Sequence, residues 1–120
     1  MTDLIFAFGT LRLDKVQTSL FGRTVPGRPD AVVGWKVDTI RVVDPKVIAT
    51  SGSDLHPGLV FTGRSSDLVS GEILDVTPEE LAAADVYESV SFTRISADLR
   101  SGGSAWIYVP RTTTTTVSGS

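Results

Sequence analysis

One helix start is written into this chain without ambiguity, and it limits what the remainder can be. Residues 77–89 read T-P-E-E-L-A-A-A-D-V-Y-E-S. Thr77 suits the N-cap, Pro78 the first helical position, and Glu80, three residues past the cap, completes a capping box. Leu81, Ala84 and Glu88 are spaced i, i+3, i+7 and share one face, with Asp85 beside them. An acid therefore stands where an apolar residue is expected. Two readings are open on periodicity alone. Turned inward, a carboxylate is desolvated and its pKa rises toward neutrality, which suits a general acid or base. At a frayed helix end it reaches water, the ordinary place for an acid.

Elsewhere strand signals outnumber helical ones. Asp14 to Phe21 reads as a short helix with Asp14 as cap, Val16 and Leu20 on one face and Gly22 as the stop. Leu4 to Phe8 is an apolar run suited to a buried strand. It ends at Gly9-Thr10-Leu11, a turn in which glycine permits a positive φ or a close backbone approach. Successive amides there form either an anion-binding nest or a plain strand-ending turn. Two prolines and Gly27 make 24–30 a loop. Ala31 to Val43 then alternates as one bent strand or two, with Trp35, Val37 and Thr39 opposite Lys36, Asp38 and Ile40. Residues 44–57 read as a long polar connection with Val47 and Ile48 as a short strand, and His56 as a surface loop residue. Leu59–Thr62, Leu68–Val76, Phe92–Leu99 and Ala105–Val109 supply the remaining strands, with Glu72 a solvated strand position and residues 100–103 a hairpin turn. Trp106 and Tyr108 share one face of the last strand, and Ala105, Ile107 and Val109 the other.

Several function classes are excluded by what the chain lacks. Without cysteine, thiolate catalysis, cysteine zinc sites and disulfides are ruled out. His56 is the only histidine; no G-x-S-x-G motif accompanies it and no metal-ligand spacing surrounds it, so triad or zinc hydrolysis is disfavoured and no metal or cofactor is implied. A net charge of -3 with scattered basic residues gives no footprint for nucleic acid. No apolar run approaches the roughly 20 residues of a membrane span. The chain enters a strand after three residues, with no basic, apolar leader, as expected of a cytoplasmic protein. A small molecule or another protein is the expected partner. The 120 residues fit one domain, 1–110, followed by a flexible threonine-rich tail over 111–120, of which 112–116 could extend the last strand.

Three stretches together resemble the gamma-glutamylcyclotransferase-like family, in its AIG2-like and gamma-glutamylamine cyclotransferase branch. F-A-F-G-T-L-R at 6–12 is similar to an N-terminal Y-G-[ST]-L signature. V-S-G-E-I-L-D-V at 69–76 with E-E-L-A-A-A-D-V-Y-E-S at 79–89 matches a V-x-G strand followed by a helix ending in D-x-[FY]-E-G. F-T-R at 92–94 and A-W-I-Y-V at 105–109 resemble a Y-x-R and a closing strand, and His56-Pro57-Gly58 falls where an aromatic-Pro-Gly segment is common. The resemblance covers roughly residues 4–109.

It implies an α+β fold, a small twisted, mostly antiparallel β-barrel flanked by short helices. It implies an enzyme that closes a gamma-glutamyl group to 5-oxoproline and expels an amine, with Glu88 as the proton-shuttling residue. Phe8, Gly9, Thr10 and Leu11 match the loop that holds the substrate's α-carboxylate, and Tyr108 lines the pocket. Asp85 and Arg94 take structural, supporting places. Phe8, Ser89 and Phe92 depart from the family's usual Tyr, Gly and Tyr, which bears on substrate choice. A non-catalytic relative binding a small molecule or a protein, and a domain assisting a larger amidohydrolase system, are the alternatives.

Overall fold

The computed structural model describes residues 3–111. The threonine-rich tail and its suggested strand extension lie outside them, apart from Arg111. Seven strands and three α-helices run in the order β1 (Asp3–Ala7), α1 (Asp14–Phe21), β2 (Gly27–Val33), β3 (Trp35–Arg41), α2 (Pro45–Ser51), β4 (Leu55–Phe61), β5 (Leu68–Val76), α3 (Pro78–Glu88), β6 (Phe92–Asp98) and β7 (Ser104–Pro110). A single 3-10 turn, Thr10–Arg12, follows β1.

Five strands form one sheet in the order β2-β5-β1-β7-β6, and β3 pairs with β4 in a separate ribbon. Pairing is antiparallel except between β1 and β7. The large sheet curls until its two edges touch at one antiparallel bridge, Val32 to Leu99, where the Arg100 amide also donates to the Ala31 carbonyl at 2.8 Å. The expected barrel is thus a strongly curled sheet and not a closed ring.

Curling gives the sheet two buried faces, which is why β1 is a continuous apolar run. Phe6 points inward with Val32, Val69, Ile73, Ala97 and Ile107, and the ribbon residues Trp35 and Leu59 cover that cluster. Ile5 and Ala7 point outward to Val16 of α1 and Leu81 and Ala84 of α3. Gly71 of β5 crosses β1 so closely that a Cβ there would stand 2.5 Å from the Ala7 carbonyl oxygen and 2.7 Å from the Phe6 ring. The glycine of the V-x-G stretch is therefore a packing requirement.

Four sequence expectations are corrected. Residues 45–51 form a helix: the Asp44 carboxylate accepts from the Lys46 amide, Pro45 opens the first turn, and Gly52 ends it at φ 82°. At the start of α1 Leu13 occupies the cap position, and Asp14 is the first helical residue. Strand β2 begins at Gly27 instead of Ala31; Pro29 fits because β2 is an edge strand and needs no donor on its outer side. Strand β4 begins at Leu55, which carries His56 off the surface to 2% exposure. In β3, Trp35 is buried in the inner cluster and Ile40 in the outer one, while Val37 between them is half exposed. A two-stranded ribbon twists more than a wide sheet, so its two ends bury opposite faces.

Candidate active site

Helix α3 forms where the sequence requires it. Thr77 Oγ1 accepts from the Glu80 amide, and the Glu80 carboxylate reaches back to the Thr77 amide. Arg23 then clamps Glu80 through two hydrogen bonds of 2.8 and 2.9 Å. That guanidinium, ahead of any other cause, holds the Glu80 carboxyl down at about 2.

The inner face of the helix carries Leu81, Ala84 and Glu88 against the sheet. Glu88, its last residue, is 9% exposed, and its Oε1 has no hydrogen-bond partner among the described residues. Burial lifts its carboxyl from 4.5 to about 8. A buried, unpaired acid of this kind is costly to a fold and is the usual mark of a group kept for chemistry.

Glu88 opens on a small recess lined also by Phe8, Gly9, Thr10, Leu11, His56, Pro57, Phe92 and Tyr108. The sequence-predicted residues Glu88, Phe8, Gly9, Thr10, Leu11 and Tyr108 are all brought together there. Asp85 and Arg94 are not. They sit behind Tyr108: its hydroxyl donates to Asp85 Oδ1 at 2.7 Å, Arg94 Nε pairs with the same oxygen at 2.9 Å, and the guanidinium lies 4.3 Å from the Trp106 ring centre. Burial first, and then the bond to Asp85, raises the Tyr108 hydroxyl well above its ordinary range, so it stays protonated.

The turn after β1 differs in detail from the positive-φ option. Gly9 has φ -123° and ψ -131°, and what demands glycine is contact: a Cβ would lie 2.8 Å from Pro57 Cγ. The amides of Arg12 and Leu13 are spent on the carbonyls of Gly9 and Thr10. Those of Thr10 and Leu11 open the 3-10 turn and have no partner within it, as at any helix start. Such amides at the wall of a recess suit an anion.

Three residues that hold this arrangement escaped the sequence reading. Tyr87, next to Glu88, bonds Thr10 Oγ1 through its hydroxyl at 3.0 Å, tying the turn to the helix that carries the acid. Buried Gln17 donates to the Leu11 carbonyl and accepts from the Val25 amide, both at 2.8 Å. His56 Nε2 lies 3.0 Å from Ser51 Oγ and 3.1 Å from the Ser53 carbonyl. Only His56 carried a signal, its place in the His-Pro-Gly segment. Glu72, read as solvated, is half buried and pairs with Arg12 at 3.4 Å.

Fold and recess together define a class: a small curled α+β domain in which one desolvated carboxylate faces a turn of open amides. The chain belongs to the family described as gamma-glutamyl cyclotransferase, AIG2-like, whose model matches residues 5–119. No curated protein sequence matches the chain. Among solved structures it is similar to an Arabidopsis thaliana protein at 18% identity, with a TM-score of 0.69 over 92% of this chain and 70% of that one. A protein named gamma-glutamyl cyclotransferase gives 12% identity and a TM-score of 0.69 over 97% of this chain and 70% of that one. An AIG2-like protein from Mus musculus gives 16% and 0.61 over 92% and 78%. At such identities the structures share the fold, and each is longer than this chain. Among the described residues no helix is long and apolar enough to cross a membrane, and no cluster of metal-binding side chains occurs.

Proposed function

We propose that this protein is a gamma-glutamyl cyclotransferase. The observation that carries the reading is the unpartnered, buried Glu88 carboxyl in the same recess as the Gly9–Leu11 turn. The substrate's α-carboxylate lies on the turn amides, which fixes the gamma-glutamyl chain at one end and leaves its other end to curl back. The α-amino nitrogen attacks the γ-carbonyl carbon; that carbon–nitrogen bond forms as the bond to the leaving amine breaks. The bound ammonium loses two protons in becoming the ring amide, one to Glu88 before attack and one as the new bond forms. Both pass by way of Glu88 to the departing nitrogen, so the products are 5-oxoproline and the released amine in its ammonium form, with no water consumed.

A carboxyl raised to about 8 is far more basic than an exposed glutamate, and so fits both halves of that transfer. Binding of the substrate's ammonium restores its negative charge, since an opposite charge close by favours the ionised form. Holding the five-membered ring geometry supplies the rest of the acceleration. Phe8 favours a second reading, a binding protein on the same fold: its ring stacks on Phe6 at 6.0 Å and brings no hydroxyl to the recess.

One assay separates the two. Incubation with a panel of gamma-glutamyl amines and dipeptides should release 5-oxoproline from the wild type and at least roughly 100-fold more slowly from Glu88→Gln, the order expected for loss of a general acid–base. Equal turnover by the variant removes Glu88 from the chemistry, and no turnover of any substrate by the wild type supports the binder.

A further inference from the structure

His56 stands in the recess wall for a reason that its burial alone does not explain. Its Nε2 faces two oxygens, the Ser53 carbonyl at 3.1 Å and Ser51 Oγ at 3.0 Å. A carbonyl only accepts, so Nε2 must carry the proton; a bare Nε2 would set two lone pairs against each other. Ser51 agrees, because its own hydroxyl donates to that carbonyl at 3.0 Å and is left to accept from the ring. The neutral ring therefore holds its lone pair on Nδ1. No described protein group donates to Nδ1, and among the described side chains Glu88 Oε1 is the one polar atom both sealed from solvent and without a partner, so Nδ1 keeps an opening to the recess. Burial also disfavours the imidazolium, against the opposing pull of the Ser53 carbonyl and Asp54.

Pro57, the next residue, packs against Gly9, so this strand end lies beside the carboxylate-binding turn. An acceptor there repels the substrate's carboxylate but suits the amino group one carbon away. Resting on the cyclotransferase reading, we propose that His56 Nδ1 accepts a hydrogen bond from the substrate's α-amino group and, opposite Glu88, positions its nitrogen for attack. His56 is a substrate-positioning residue and moves no proton. With two acceptors on the amine, the site selects a free, unsubstituted α-amino group.

Asn and Gln separate the two ring nitrogens. His56→Gln keeps a donor near the Nε2 position and loses the Nδ1 acceptor, whereas His56→Asn keeps an acceptor near Nδ1 and loses the link to Ser51 and Ser53. The expected result is a tenfold or greater rise in KM for His56→Gln, with kcat changed less, and a smaller rise for His56→Asn. Wild-type KM in His56→Gln, or equal impairment of both variants, overturns the proposal. Independently of turnover, 15N spectra of the wild-type imidazole should show Nε2 protonated and Nδ1 bare. Adding γ-L-glutamylethylamide should move the Nδ1 resonance toward its protonated position, and the analogue lacking the α-amino group should not. A protonated Nδ1 in the free protein, or the same response to both compounds, also overturns it. A wild type that moves Nδ1 with the amine yet releases no 5-oxoproline sinks the cyclotransferase reading and leaves the contact standing.

Discussion

Replacing Glu88 by glutamine should change how stability depends on pH, and the size of the change follows from burial. The Glu88 carboxyl titrates at about 8 in the fold against 4.5 in an unfolded chain. A group whose folded-state pKa is raised contributes its stability in full below the unfolded value, and loses it as pH climbs through the folded one. Between pH 4.5 and 8 the wild type therefore loses about 1.4 kcal/mol per pH unit at this site. From pH 5 to pH 7 the loss is about 2.5 kcal/mol, and across the whole window it approaches a ceiling of about 5 kcal/mol.

The amide that Glu88→Gln introduces does not titrate. The stability of the variant minus that of the wild type should then climb by roughly 2–3 kcal/mol between pH 5 and pH 7, whatever its starting value. Urea unfolding followed by the fluorescence of Trp35 and Trp106 at pH 5, 6, 7 and 8 measures it. His56 and Glu80 titrate in both proteins and cancel from the difference. Curves that stay parallel would mean that Glu88 ionises in the fold as it does in water. The desolvated base, and the proton transfer built on it, would fall with that result.

Other perturbations read other parts of the site. Tyr87→Phe removes the tie to Thr10, costing about 1 kcal/mol of stability and raising KM for gamma-glutamyl amines roughly fivefold; an unchanged KM would mean that the turn holds its own shape. Gly9→Ala forces a methyl against Pro57, at about 1–3 kcal/mol of overpacking, and the displaced amides should cut kcat/KM tenfold or more, seen in thermal melts beside 5-oxoproline release. Glu80→Gln weakens the helix cap and the Arg23 clamp, with the opposite pH sense to Glu88. The lowered wild-type carboxyl contributes its stability above 4.5 and loses it as pH falls toward 2, so a gap of about 1 kcal/mol at pH 6 should close by pH 2. A gap that persists in acid would locate the loss in packing.

What the sequence disclosed of this site follows the range of the forces involved. Helix α3 was legible because its cap, its proline and its apolar spacing all act within one turn of chain. The same grammar was present in Asp44-Pro45 and Gly52 around α2, but seven residues leave no amphipathic stripe, and the β-branched Val47-Ile48 pair mimics a strand. The face of Glu88 could be read from spacing; the depth of its burial could not, since it depends on Phe92, Tyr108 and the Gly9 turn arriving from three other segments. His56 shows the same limit more sharply. Its isolation before a proline suggests a loop, and only the pairing of β4 with β3, with Ser51 supplied by α2, turns it into a buried ring hydrogen-bonded through Nε2.

Helix α3 also shows how a fold tolerates the acid it displays. Its C-terminal end carries the negative pole of the helix, which disfavours an ionised carboxyl in the same direction as burial does. Glu88 thus sits where two effects oppose its charge, and nothing among the described side chains offers its Oε1 a hydrogen bond. The opposite end is unusually secure, with a reciprocal capping box, a proline at the first position and a two-bond Arg23 clamp on Glu80. Each capping interaction contributes about 1 kcal/mol, so together they offset only part of the ionisation cost at pH 8. The remainder falls on the packed face of Leu81 and Ala84 against β1, and on the Tyr87–Thr10 bond that fastens the C-terminal end. Loosening that end would relieve the acid by admitting water, and would lower the pKa that makes it a base. Stability near Glu88 and basicity of Glu88 therefore rise and fall together in this fold: Tyr87→Phe should lower both the melting temperature and the pKa seen in the kcat/KM profile, whereas a substitution at the Arg23 clamp should lower only the first.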